Sequence, residues 1–160
     1  MIRFCPHCWA EVNAEATHCP ACGRDLHEEL DFTDKLISAL RHREPTRAGL
    51  AIDVLTNWLH EPRAVEPLCD LFDQSRDAAI LKQAARGLGR LGDRRAIPAL
   101  SRLLLNKSRA FVARQAAAEA LGQIGSDEAQ RALQAALDDE LTTIRAAARR
   151  ALDGLAQAAA

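Results

Sequence analysis

Four cysteines, Cys5, Cys8, Cys19 and Cys22, stand in the spacing C-x2-C-x10-C-x2-C. Each pair brackets a short turn, so the two pairs aim four sulfurs at one point, the donor set of tetrahedral Zn2+. Pro6 and Pro20 fix the backbone inside the two turns, and Gly23 can take the positive φ that a knuckle's exit needs. Disulfides are the competing chemistry. The start, Met1-Ile2-Arg3-Phe4, opens no apolar export segment, so a cytoplasmic, reducing setting and one Zn2+ are expected instead. Four sulfur ligands leave no position open for water or substrate. The expected zinc is therefore structural, supplying the folding energy of a segment with little core. His7 and His18 flank the ligands and are expected outside the ligand set.

This segment resembles the short zinc ribbons at the N-termini of many bacterial multidomain proteins, over about residues 3–26. Both knuckles fit, Cys5-Pro6-His7-Cys8 and Cys19-Pro20-Ala21-Cys22-Gly23. The departure is Trp9, where the family usually has Gly; the first knuckle is expected to close differently or to shelter the metal with an indole. Arg3 and Arg24 face Glu11, Glu15, Asp25, Glu28 and Glu29, a local charge of -3 that argues against phosphate binding.

The elements that must carry this module follow from composition. The chain has 160 residues, 48% apolar, with 4% aromatic, no Tyr and 32 Ala. Such a bias favours closely packed helices over sheet. From Asp31 the chain repeats. Leu36, Leu68, Leu100 and Leu133 are each followed four residues on by Leu40, Phe72, Leu104 or Leu137. A second series, Leu55, Leu88, Leu121 and Leu152, has Ala51, Ala84, Ala117 and Ala148 four before it and Trp58, Leu91, Ile124 and Leu155 three after. Spacings of three and four predict two helices per period, A and B. The predicted pairs are 32–43/46–59, 63–74/77–91, 94–106/109–124 and 127–138/141–157. Gly92-Asp93 and Gly125-Ser126 should end one B helix and cap the next A helix, and Pro62 should open one. The expected organisation is a ribbon at 1–28 and an all-α solenoid at 31–160, with neighbouring repeats stacked into one core.

Asp93-Arg94-Arg95-Ala96-Ile97-Pro98-Ala99-Leu100 and Ile144 to Leu152 resemble the HEAT-repeat superfamily in its phycobilisome-lyase-like form. The likeness covers about four fifths of the chain and implies a solenoid whose B helices line the concave face. It also implies a further reading, because related repeats occur in lyases and isomerases of phycobilin chromophores.

No Walker loop, G-x-G-x-x-G, H-E-x-x-H or G-x-S-x-G occurs, so the residues themselves predict a non-enzymatic scaffold that binds another protein. Cys69 reads as a small, half-exposed residue. Between 82 and 114, Lys82, Arg86, Arg90, Arg94, Arg95, Arg102, Lys107, Arg109 and Arg114 are opposed only by Asp93. Arg86 should join a ladder with Asp53, Glu119 and Arg150, whereas Lys82, Arg90 and Arg114 lack acids in register. Those three are the candidate contacts for an acidic protein partner. Nucleic acid is a further alternative that the scarcity of aromatics weakens. A solvated basic face and a belt masked by the acidic ribbon are the competing outcomes.

Overall fold

The computed structural model describes residues 2–158. The expected bounds of the ribbon and the solenoid reach Met1, Ala159 and Ala160, which lie outside the described residues. Strand β1 (Ile2–Phe4) pairs antiparallel with β2 (Glu11–Asn13), in the register Arg3 to Val12. Eight α-helices among the described residues follow: α1 (Phe32–Ala39), α2 (Pro45–Asp53), α3 (Val65–Gln74), α4 (Ala78–Leu91), α5 (Ile97–Leu105), α6 (Phe111–Ile124), α7 (Asp127–Ala135) and α8 (Thr142–Ala158). They form four antiparallel pairs stacked into a HEAT-like α-solenoid, with a small ribbon before them.

Local chemistry sets the boundaries. Asp31, Asp77 and Ser126 each accept a backbone N–H of the turn they open, and Asp93 does the same for the short 3-10 turn that leads into α5. Gly92 (φ 66°) ends α4, and Pro62 opens the turn that leads into α3. The turns leading into α3 and α5 are each stitched to the preceding A-helix unit at one fixed offset: Arg63 pairs with Asp34, and Arg95 with Glu66. These pairs are half-exposed and worth about 0–1 kcal/mol each, so they set register more than stability.

Stability comes from the stripe. Leu55, Leu68, Leu88, Leu100, Leu104, Leu121 and Leu133 are fully buried, as are Ala84, Ala117 and Ala148. Leu36, Leu137, Leu152 and Leu155 are half-buried, because terminal repeats have a neighbour on one side only. Successive B helices touch closely: a Cβ on Gly122 would come within 2.8 Å of Ala151 Cβ. Leu88→Ala and Leu121→Ala should each cost about 2–5 kcal/mol, read from urea midpoints at constant m-value. Marginal losses in both would contradict a continuous core.

Trp58 departs from the stripe. The sequence series places it beside Leu91 and Ile124, yet it is 80% exposed. The chain from Val54 to Trp58 widens into a π-helical turn, in which the Leu59 N–H donates to Val54 O five residues back. A wider turn advances less per residue and swings Trp58 off the buried face.

Candidate metal centre and the surfaces around it

The two knuckles are built alike. The Trp9 N–H donates to Cys5 O at 3.0 Å, and the Gly23 N–H to Cys19 O at 2.8 Å. Both turns exit through a left-handed residue, Trp9 at φ 61° and Gly23 at φ 73°. Cys5 and Cys19 are buried, Cys8 is half-buried and Cys22 exposed. All four Sγ atoms lie within 4.8 Å of one another. Cys5 to Cys22 measures 3.8 Å and Cys8 to Cys19 3.7 Å. A tetrahedral metal with bonds of about 2.3 Å sets its sulfurs about 3.8 Å apart, so the quartet is shaped to bind one metal ion. Burial pushes the Cys8 thiol up to about 12. At Cys19 burial acts the same way but is outweighed by the amides of Cys22 and Ala21, which bring it down to about 7. His7 stays out of the ligand set: its Nε2 sits 3.1 Å from Asp25 O, tying the first knuckle to the chain after the second. His18 is exposed beside Thr17.

Trp9 takes the left-handed backbone of a glycine, so the first knuckle closes like the second, and its indole turns toward the first repeat. Its indole N–H donates to Ser38 O at 2.9 Å, at the end of α1, and its ring packs edge-on against His42 at 4.7 Å. A bulky residue in the left-handed region costs on the order of 1–3 kcal/mol, which this docking offsets. Arg43 adds an ion pair to Glu11 at 3.9 Å. The ribbon thus covers part of the outer face of the first repeat. Trp9→Gly should keep the knuckle and its metal stoichiometry while releasing the ribbon. Faster trypsin cleavage after Arg41 or Arg43 checks this; an unchanged cleavage pattern would show that the indole holds nothing.

Between the ribbon and the first repeat lies a cleft of about 530 Å³. Pro6 and Trp9 form one wall, Phe32, Leu36 and Ala39 of α1 a second, and Leu50 and Ala51 of α2 the third. Sequence reasoning missed it, because its walls come from three separated segments that only the fold brings together.

The basic belt is less free than its charge suggests. Arg86 pairs with Glu119, Arg95 with Glu66, Arg102 with Asp73, Lys107 with Glu140 and Arg114 with Asp139. Stacking brings acids from neighbouring repeats to cations that face none in sequence. Of the expected ladder, only the Arg86–Glu119 rung, at 3.6 Å, closes among the described residues. The ribbon does not mask the belt either, since its own ion pair reaches Arg43 in the first repeat.

Arg114 is a correction. It was a candidate surface contact, but it is 1% exposed. Its Nε donates to Leu104 O at 2.7 Å and its guanidinium forks onto Asp139. Asp139 lies 25 residues downstream in the turn before α8, so no register within the B helices reveals it. Lys82 and Arg90 do reach one shallow polar depression, with Asp53, Asn57, Gln83 and Arg86, and Arg90 donates to Thr56 Oγ1 at 3.2 Å. Cys69 is half-buried, and burial lifts its thiol to about 11, far from a reactive thiolate.

Comparison with known proteins bears on what this surface does. The family described as HEAT repeats matches residues 33–114, and the PBS lyase HEAT-like repeat matches residues 113–139. The phycocyanobilin lyase subunit alpha of Picosynechococcus sp. is 41% identical over 106 residues, which is 60% of this chain and 39% of that protein. The chain therefore spans about two fifths of its relative's length. The structure of human deoxyhypusine hydroxylase superposes with a TM-score of 0.68 at 27% identity, over 81% of this chain and 45% of that one. The CpcE–CpcF complex of phycocyanin lyase from Nostoc sp. gives 0.53 at 22% identity, over 82% and 67%, and speaks to the fold. These likenesses overturn the expectation of a non-enzymatic scaffold: the similar proteins are a lyase subunit and a hydroxylase. The expectation failed because it rested on compact motifs, whereas a solenoid's working residues are scattered one or two per helix. No helix among the described residues is long and apolar enough to cross a membrane.

Proposed function

Because the chain belongs to the HEAT-repeat family, we propose that it serves as one subunit of a bilin-lyase-like enzyme, acting together with a second protein on an open-chain tetrapyrrole. The observation that carries this reading is the 41% identity to a phycocyanobilin lyase subunit. The relative is itself a subunit by name, which makes a protein partner part of the reading. In this reading the chain divides into a solenoid, 31–160, that supplies most of the bilin-handling surface, and a small ribbon, 1–28, at its N-terminal end. Lys82 and Arg90 remain exposed enough to meet an acidic partner surface, and the protein works in the cytoplasm. Cys5, Cys8, Cys19 and Cys22 hold one Zn2+, whose role is to fold the ribbon and fix Trp9 against α1. The closed sulfur set gives that metal no place in the reaction.

The test is optical. Adding the metal-loaded chain to phycocyanobilin should shift and sharpen the long-wavelength absorption, because a protein site restricts the many conformers of a free open-chain tetrapyrrole. An unchanged spectrum at saturating protein would overturn the reading.

A further inference from the structure

We propose that the cleft between the ribbon and the first repeat is the tetrapyrrole-binding site of this chain. The proposal deepens the lyase reading and rests on it. Three observations carry it. The walls are apolar, built from Pro6, Trp9, Phe32, Leu36, Leu50 and Ala51, and Phe32 and Leu50 stay 65% and 66% exposed. The volume of about 530 Å³ falls within the range of about 300–1,000 Å³ of ordinary small-molecule sites. The charged groups at the cleft are of one sign: Lys35 and Arg47 line it beside His42 and Ser38, and no carboxylate does. Arg47 is steadied by Glu44 at 2.7 Å, behind the lining, and its Nη1 stands 3.5 Å from His42 Nε2.

This combination selects the occupant. An apolar helix, or a second copy of this chain, would strand Lys35 without a partner as it dried the cleft, at a cost. A small molecule with a flat apolar body and carboxylate arms fills the walls and pairs the cations by charge-assisted hydrogen bonds. An open-chain tetrapyrrole carrying propionates has that build. Trp9 offers an aromatic surface at the wall, so the strained knuckle residue holds the ribbon down and also completes the site.

The test titrates phycocyanobilin, and separately its dimethyl ester, into the full metal-loaded chain, reading absorbance. Leu50→Glu puts a carboxylate where none stands, at an exposed position that tolerates it, and should weaken binding at least about tenfold. Lys35→Gln with Arg47→Gln should weaken the free acid about tenfold and leave the ester little changed. Lys82→Glu with Arg90→Glu should leave both affinities as they were. Binding that survives Leu50→Glu but falls with the Lys82 and Arg90 reversals would move the site to the B-helix depression. That result overturns this proposal and leaves the lyase reading standing. Equal affinity for acid and ester would remove the carboxylate argument and with it the proposal. A concentration-dependent dimer in sedimentation that Leu50→Glu disperses, with no competition by phycocyanobilin, would give the cleft to a second copy. No binding of phycocyanobilin by any form would overturn both the site and the reading beneath it.

Discussion

Asp139→Ala is expected to destabilise the solenoid by about 3–5 kcal/mol, because it leaves the guanidinium of Arg114 buried without a counter-charge. Both side chains are almost wholly enclosed, 2% and 6% exposed. Asp139 also accepts the Leu141 N–H at 3.0 Å, so the same change removes a cap before α8. The second variant separates the pair from the cap. Arg114→Met fills similar volume without charge, frees Asp139 to keep its cap, and should cost less than Asp139→Ala. Equal losses would mean that the cap adds nothing, and a negligible loss in Arg114→Met would mean that the cap, and not the ion pair, carries the effect. The pH dependence has a definite sign. Burial pushes the Asp139 carboxyl up, but the hydrogen bond from Arg114 and the Leu141 amide outweigh it, so its folded value lies below the ordinary range. A depressed folded value means that the unfolded chain takes up the proton first. The contribution is therefore complete above the ordinary carboxylate value, about 3.9, and is lost as pH falls through the folded value. Asp139→Ala should differ most from the parent at neutral pH, and the gap should close under acid. A gap that stays constant from pH 7 to pH 2 would contradict the assignment.

Removing the metal should have the other large effect, confined to one end of the molecule. The ribbon's own apolar cluster is small, with Cys5, Val12, Cys19 and Leu26 buried and Cys8, Ala10 and Ala16 partly so. Structural zinc contributes on the order of 10–16 kcal/mol of apparent binding energy in such modules, so little else holds residues 3–26 together. A strong chelator should release one Zn2+ per chain and erase the β1–β2 pairing, while most helical ellipticity persists. Loss of the ribbon also removes Trp9 from Ser38 and His42. Its emission should therefore move toward that of a solvated indole, which a Trp58→Phe background isolates. Metal analysis finding no zinc under reducing conditions, or a helical signal that collapses with chelation, would contradict this account. The second outcome would mean that the ribbon supports the repeats and not merely their outer face.

What the sequence by itself determined was periodic or local. Two C-x2-C pairs fix a metal-binding geometry through a few bonds of chain, and the structure brings their sulfurs together. The Leu and Ala series fix the helix pairs, because burial of one stripe per helix follows from a spacing of three and four. Asp93 and Ser126 mark helix starts because a capping side chain acts within three residues of itself. What only the tertiary structure decided depends on residues that meet across repeats or modules. Five of the nine cations between 82 and 114 find acids, Glu66, Asp73, Glu119, Asp139 and Glu140, once the helices stack. Arg114 becomes interior because one turn of a later repeat delivers a carboxylate to it. Trp58 leaves the stripe because a single π turn changes the angular advance, which no residue pattern in that helix announces. Trp9 finds its partner 29 residues away on α1, and the cleft beside it exists only because two modules meet there. Short-range geometry is written in the residues that span it, whereas contacts across the stack follow from how far each helix turns and how closely it packs on the next.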